Sequence, residues 1–135
     1  MKAFAVEYLD ATNGFVVWGD GRVAIGDSYV PAGYRLAVKG NIIAEEVVVQ
    51  LRTTWPDYVF NKDYKLKPLS EVEQYISKNK HLQNIPSAKE IETNGVTLGN
   101  MVSKQMEKIE ELTLYLIEQQ KQIEELKKQV ESLKK

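Results

Sequence analysis

Few side chains in this sequence are of the types that do chemistry, and their spacing limits what they can do. His81 is the only histidine, cysteine is absent, and the acids Asp57 and Asp63 fall in a stretch that reads as loop. No nucleophile stands at a recognisable spacing from these groups to form a triad or dyad. A single imidazole without thiolates or a second histidine is a poor metal set. His81 therefore reads as structural or surface polar, the chain as carrying no catalytic, cofactor-binding or metal site, and the protein as not an enzyme. Trp55, Tyr58, Phe60 and Tyr64 resemble a sugar-stacking platform in type. Aromatics at this density in a small domain more commonly form core, because each buries a large area.

With chemistry thinly supported, the elements themselves carry the reading. The chain has 135 residues, enough for one small domain and an appendage. Eighteen Lys and Arg stand against 19 Asp and Glu, a net charge of -1, so there is no basic field for nucleic acid or an anionic membrane. The start, MKAFAVEYLD, lacks the pattern of a signal peptide, and no apolar run of about 18 residues suggests a membrane span. The lack of cysteine rules out disulfides but does not fix the compartment.

Composition divides the chain into three parts, 1–52, 53–99 and 100–135. Six of the eight glycines precede Asn41, eleven of the twelve aromatics precede Ile76, and the last 36 residues contain neither Gly nor Pro. The first part reads as short strands between turns. Gly19-Asp20-Gly21 separates two apolar runs and predicts a tight turn, since Asp and Gly both tolerate positive φ. Alternation at Leu36 and Val38, and the β-branched run Val47, Val48, Val49, predict two more strands. Strands this short bury little within one chain, so either they close a small barrel or several copies share one core. In the middle part Pro56 bars a helix just before it. Ser70 with Glu73, and Ser87 with Glu90, predict capping boxes at the starts of two short helices, the first burying Val72 and Ile76 and the second ending before Gly95.

The last part carries the most specific pattern. With Val102 at heptad position a, the a series is Val102, Ile109, Leu116, Ile123 and Val130, and the d series is Gln105, Leu112, Gln119, Leu126 and Leu133. Eight of these ten positions are apolar, which predicts a parallel coiled coil. A helix of roughly 50 Å outruns a small domain that would otherwise cover it. Glu124–Lys128 and Glu131–Lys135 are i,i+4 pairs in the favourable order. Leu114, Tyr115 and Ile117 lie at f, g and b, outside the seam, and are expected to be covered by the middle part, chiefly by Trp55, Tyr58 and Phe60. Val or Ile at most a positions with Leu at most d positions favours two strands.

Certain runs also resemble known fibres. GDGRVAIG followed by YRLAVKGNIIAEEV is similar to the Gly-punctuated strand motif of phage tail fibres and related bacterial surface fibres, in which a V-G-I-G turn precedes K-L-x-V-x-G-x-I. WPDYVF through HLQNIPSAKEI to KIEELTLYLIEQ is similar to a module that ends such proteins, with Gln83 where the usual HLP-x-IPSA core has proline. A more distant likeness is to the intramolecular chaperone of endosialidase-type tail spikes. That family releases the domain by self-cleavage at a serine, where LRTTWPD here has Thr53 and Thr54.

The resemblance implies an α+β homotrimer: an intertwined β stem over 1–52, a small α+β knob over 53–99 and a parallel coiled-coil trimerisation helix over 100–135. The expected function is trimerisation and assembly of a tail-fibre-like protein on a virion tail or at a cell surface. Its expected partner is itself, as a trimer with a dimer as the alternative, and no cofactor, nucleic acid or membrane is expected. Two other functions remain open: a fibre tip that reads a host receptor or glycan, and a self-cleaving chaperone.

Overall fold

A computed structural model of the chain describes residues 2–6, 14–50 and 55–134. The fold is α+β, and the chain divides into two compact units, 1–47 and 48–135.

The first unit is one sheet of four short strands, β1 (Lys2–Val6), β2 (Phe15–Trp18), β3 (Val23–Ile25) and β4 (Leu36–Val38), in that order across the sheet. β1–β2 and β2–β3 are antiparallel, and β3–β4 is parallel. The expected tight turn between β2 and β3 forms. Gly21 N–H donates to the Trp18 carbonyl at 2.9 Å, Trp18 N–H donates to the Arg22 carbonyl at 2.9 Å, and of the turn residues only Gly21 has positive φ, at 82°. The loop is therefore three residues closed by a left-handed glycine. Asp20 stays right of that region and uses its carboxylate to accept from Arg22 N–H at 3.2 Å and Nε at 2.9 Å. The backbone bond from Arg22, reinforced by its guanidinium, holds the Asp20 pKa below the usual range.

A parallel neighbour usually needs a long crossover, yet β4 follows β3 after residues 26–35 alone. Gly26 makes this tight return possible: its φ is 73°, and a Cβ there would sit 3.0 Å from the Lys39 carbonyl oxygen. The return lays Val30 over the sheet, tied by Arg22 Nη1 donating to the Val30 carbonyl at 3.3 Å. Among the described residues, Val16, Ala24 and Val30 are the buried apolar side chains of this unit. Register puts Val16, Ala24 and Ala37 on that covered face. The opposite face holds Val17, Val23, Ile25, Leu36 and Val38, and stays open, with Ile25 42% and Leu36 53% exposed.

The strand expected at Val47–Val49 is not formed. Residues 41–50 run without secondary structure, and Ile42, Ile43, Val47, Val48 and Val49 are all exposed. A strand exists only where a neighbour completes its ladder, and none of the four strands pairs with this segment.

The second unit begins with a 3₁₀ turn, Pro56–Phe60, followed by α1 (Leu69–Asn79), α2 (Ala88–Asn94) and α3 (Leu98–Leu133). Pro56 and Val59 are three apart, so in a 3₁₀ turn they share one face, and both are buried where the turn packs on α3. The capping box expected at Ser70 does not form, because α1 starts at Leu69 with Pro68 at its N-cap and places Ser70 inside the first turn. Pro68 presets its own φ, and its carbonyl accepts from Glu71 and Val72 N–H. Val72 is half-buried and Ile76 is exposed, so the buried face expected of α1 is shallow. The box at Ser87 and Glu90 does form: Glu90 N–H donates to Ser87 Oγ at 3.3 Å, and Ser87 N–H donates to Glu90 Oε2 at 2.8 Å. α2 ends at Gly95 with φ of 70°. α3 starts two residues before the glycine-free stretch and takes in Gly99, which is buried.

Candidate functional site

α3 is 36 residues long, about 54 Å at the usual rise, and its two faces are used differently. The face built from heptad positions f, g, b and c carries Glu107, Lys108, Glu110, Glu111, Leu114 and Tyr115, all buried or half-buried. Polar bonds tie this face to the rest of the unit. Tyr58 Oη donates to Glu107 Oε2 at 2.5 Å, Tyr64 Oη donates to Glu111 Oε1 at 2.6 Å, and Tyr115 Oη donates to the Lys67 carbonyl at 2.5 Å. Lys108 Nζ lies between two acids, 2.9 Å from Glu107 and 2.7 Å from Glu111. Asn84 Nδ2 donates to Glu107 Oε1 at 3.4 Å.

The electrostatics follow from these contacts. Its hydrogen bond to Glu107, with burial, pushes the Tyr58 phenol up to about 12. Burial and then the bond to Glu111 push Tyr64 up as well. Burial alone would raise Glu107, but Tyr58 and Lys108 outweigh it and hold the carboxyl low. Burial works against the Lys108 ammonium, and its two acids more than restore it. Glu110 has no such help. It is 7% exposed, its Oε2 has no hydrogen-bond partner, and burial with the nearby charges of Asp57 and Glu107 raises its pKa.

Opposite lies the a/d stripe. Val102, Ile109, Leu112, Leu116, Ile123, Leu126, Val130 and Leu133 are 41–85% exposed, and Gln105 and Gln119 are exposed among them. All ten a and d positions are thus exposed; the contrast with the opposite face holds over residues 101–115, and from Leu116 onward every described residue of α3 is exposed. On the solvated side Glu124 accepts from Gln120 Nε2 at 2.7 Å and makes no ion pair with Lys128. The pair Glu131–Lys135 lies partly outside the described residues.

Of the six packing residues read from sequence, Tyr58 and Tyr115 make contacts that join α3 to the smaller elements, and Leu114 is half-buried. Trp55, Phe60 and Ile117 remain 42%, 54% and 47% exposed. The aromatics do not form the buried centre expected of them. Pro56 and Val59 fill it, and the tyrosines work through their hydroxyls. Lys67, Asn84, Glu107, Lys108 and Glu111 were not singled out from sequence, and Tyr64 only as one of the aromatics. The visible signal was Glu107-Lys108 with Glu111 at i,i+3 and i,i+4, a charged patch away from the seam with tyrosines available upstream.

A cavity of about 120 Å³ between α1, α3 and the intervening loops is lined by Tyr64, Tyr75, Gln83 and Tyr115 among others. Several of its polar groups are engaged with one another, including Lys67 Nζ with Gln83. His81 stands edge-on to Tyr75, centroids 5.8 Å apart, with Nδ1 2.9 Å from the Leu82 carbonyl oxygen. Asp57 and Asp63 are exposed. Among the described residues no three metal-ligating side chains converge, and no helix is long and apolar enough to cross a membrane. Compared with known proteins, the chain matches no family model, no curated protein and no solved structure.

Proposed function

We propose that this chain is the trimerisation and assembly region of an elongated, tail-fibre-like structural protein, working in a virion tail or at a cell surface. One observation carries the reading: α3 spends its charged face on its own unit and leaves its apolar heptad stripe uncovered. A helix packed only for its own domain would bury the stripe and leave the charges in water. Burying eight apolar side chains at about 1.5–3 kcal/mol each is comparable to or larger than an association cost of about 4–15 kcal/mol.

The mechanism is registration. Parallel copies of α3 align their chains, and alignment raises the effective concentration of strand segments that bury little alone. Gln105 and Gln119 match one another only when identical helices lie in register, which favours self-association. The choice of three copies over two follows the fibre resemblance.

Light scattering on the full chain tests this, with three times the single-chain mass expected. Leu116→Asp would put a charge into every layer of the seam at that height, at several kcal/mol per ion. That variant is expected to return the single-chain mass. An unchanged mass would overturn the seam, and a monomeric wild type would overturn the function.

A further inference from the structure

Residues 41–47, Asn-Ile-Ile-Ala-Glu-Glu-Val, close the first unit without finding a place in it. None of their backbone amides or carbonyls has a hydrogen-bond partner among the described residues. Ile42 is 70% exposed and Ile43 fully so, yet the segment has no proline or glycine and is rich in β-branched residues. Such a stretch is a strand lacking a neighbour.

The same unit offers two sheet edges. β1 shifts register between Lys2 and Phe4, and a bulged edge resists pairing. β4 is regular, and its Leu36 and Val38 extend the open apolar face. β4 is also bracketed by cations, Arg35 and Lys39, while the loose segment carries Glu45 and Glu46; Lys39 and both acids have no ion-pair partner in their own chain. Arg35 and Lys39 lie two residues either side of Ala37 and so face the same way. Glu45 and Glu46 are adjacent and face opposite ways, so either register brings one acid to the cationic side and leaves Ile42 or Ile43 for the apolar one.

We propose that residues 42–47 add as a strand along β4 of a second copy of this chain. The inference rests on the self-assembly proposed above, which supplies the second copy at high local concentration. Donor-to-edge pairing is head-to-tail, and three copies around an axis close it into a ring with no segment left over.

Amide hydrogen exchange over 41–47, read alongside light scattering, tests it. In the assembled wild type these amides are expected to exchange about a hundredfold or more slower than in single chains, obtained by dilution and by Leu116→Asp. Glu45→Lys with Glu46→Lys is expected to weaken that protection, and adding Lys39→Glu to restore part of it. Fast exchange within a stable oligomer would overturn the strand addition and leave the assembly reading standing. Equal protection in single chains would overturn it in favour of pairing within one chain. Protection indifferent to charge reversal would overturn β4 as the edge. A wild type that stays monomeric would remove the assembly reading, and this inference with it.

Discussion

The two units of this chain are held together by different forces. The first has an interior of Val16, Ala24 and Val30, with the opposite sheet face open. The second has few fully buried side chains either, Pro56 and Val59 chief among them, but surrounds them with directional bonds from Tyr58, Tyr64 and Tyr115. Hydrogen bonds to charged groups are worth about 1.5–3 kcal/mol when well buried, and less for the part-exposed Tyr58. The first unit has charge-assisted bonds too, from Arg22 to Asp20 and to the Val30 carbonyl, but they sit on exposed or part-buried groups, and much of its apolar area is uncovered. On the proposed function, the first unit is the one that gains most from assembly, while the second, with its own cross-bonds, supplies the helix through which copies associate.

Truncation gives the largest expected contrast. Ending the chain after Gly99 removes the seam together with Glu107, Lys108, Glu111 and Tyr115, which hold the 3₁₀ turn and the loops in place. Ending after Gln119 keeps every one of those contacts and shortens only the stripe. The first fragment is expected to be unfolded or insoluble, and the second to remain folded and to trimerise at high concentration. Circular dichroism and light scattering on both would decide it. A folded, monomeric 1–99 fragment would show that the sheet needs no assembly, and the contrast between the units would collapse.

A smaller effect is expected within the seam. Gln119 interrupts the apolar d series at a site that is exposed in one chain and, on the proposed function, enclosed among copies. Buried polar residues in coiled coils trade stability for register and chain number. Gln119→Leu is therefore expected to raise the melting temperature and to permit other oligomers. A lower melting temperature with chain number unchanged would place Gln119 outside the seam.

How far the sequence revealed this structure depended on whether the deciding interaction was local. The Ser87–Glu90 box and the Gly95 stop were legible because they are settled within one helical turn. The heptad stripe was legible because periodicity survives without a partner. The Gly19-Asp20-Gly21 turn was legible from its residue types, whereas the bonds that Arg22 and Arg35 make to Asp20 are not announced by its neighbours in sequence. Ser70 misled because Pro68 took the N-cap first. The strand at Val47–Val49 failed in the single chain for lack of a ladder. The tyrosine–glutamate bonds span almost 50 residues, and nothing in local pattern could assign which tyrosine meets which acid.

The finest distinction between the units is electrostatic and rests on Glu110. Its carboxyl is harder to ionise in the folded unit than in an unfolded chain, because burial and the charges of Asp57 and Glu107 oppose the anion. A raised folded pKa means that the unfolded state gives up its proton first as pH climbs, so the second unit loses stability from the ordinary carboxylate range up through the raised value. Lowering pH from neutral should therefore stabilise this unit. Below the ordinary range the trend reverses, since Glu107, held low by Tyr58 and Lys108, loses its contribution as pH falls through its depressed pKa. Glu110→Gln removes the first limb and keeps the second. The variant is expected to melt higher than wild type at neutral pH and to show no further gain on mild acidification. Thermal melts from pH 7 to 4 on both proteins would check it. A wild type that fails to gain stability in mild acid, or a variant that gains as much, would mean that Glu110 finds a partner or water in solution, and that the interior of the second unit is less closed than its contacts indicate.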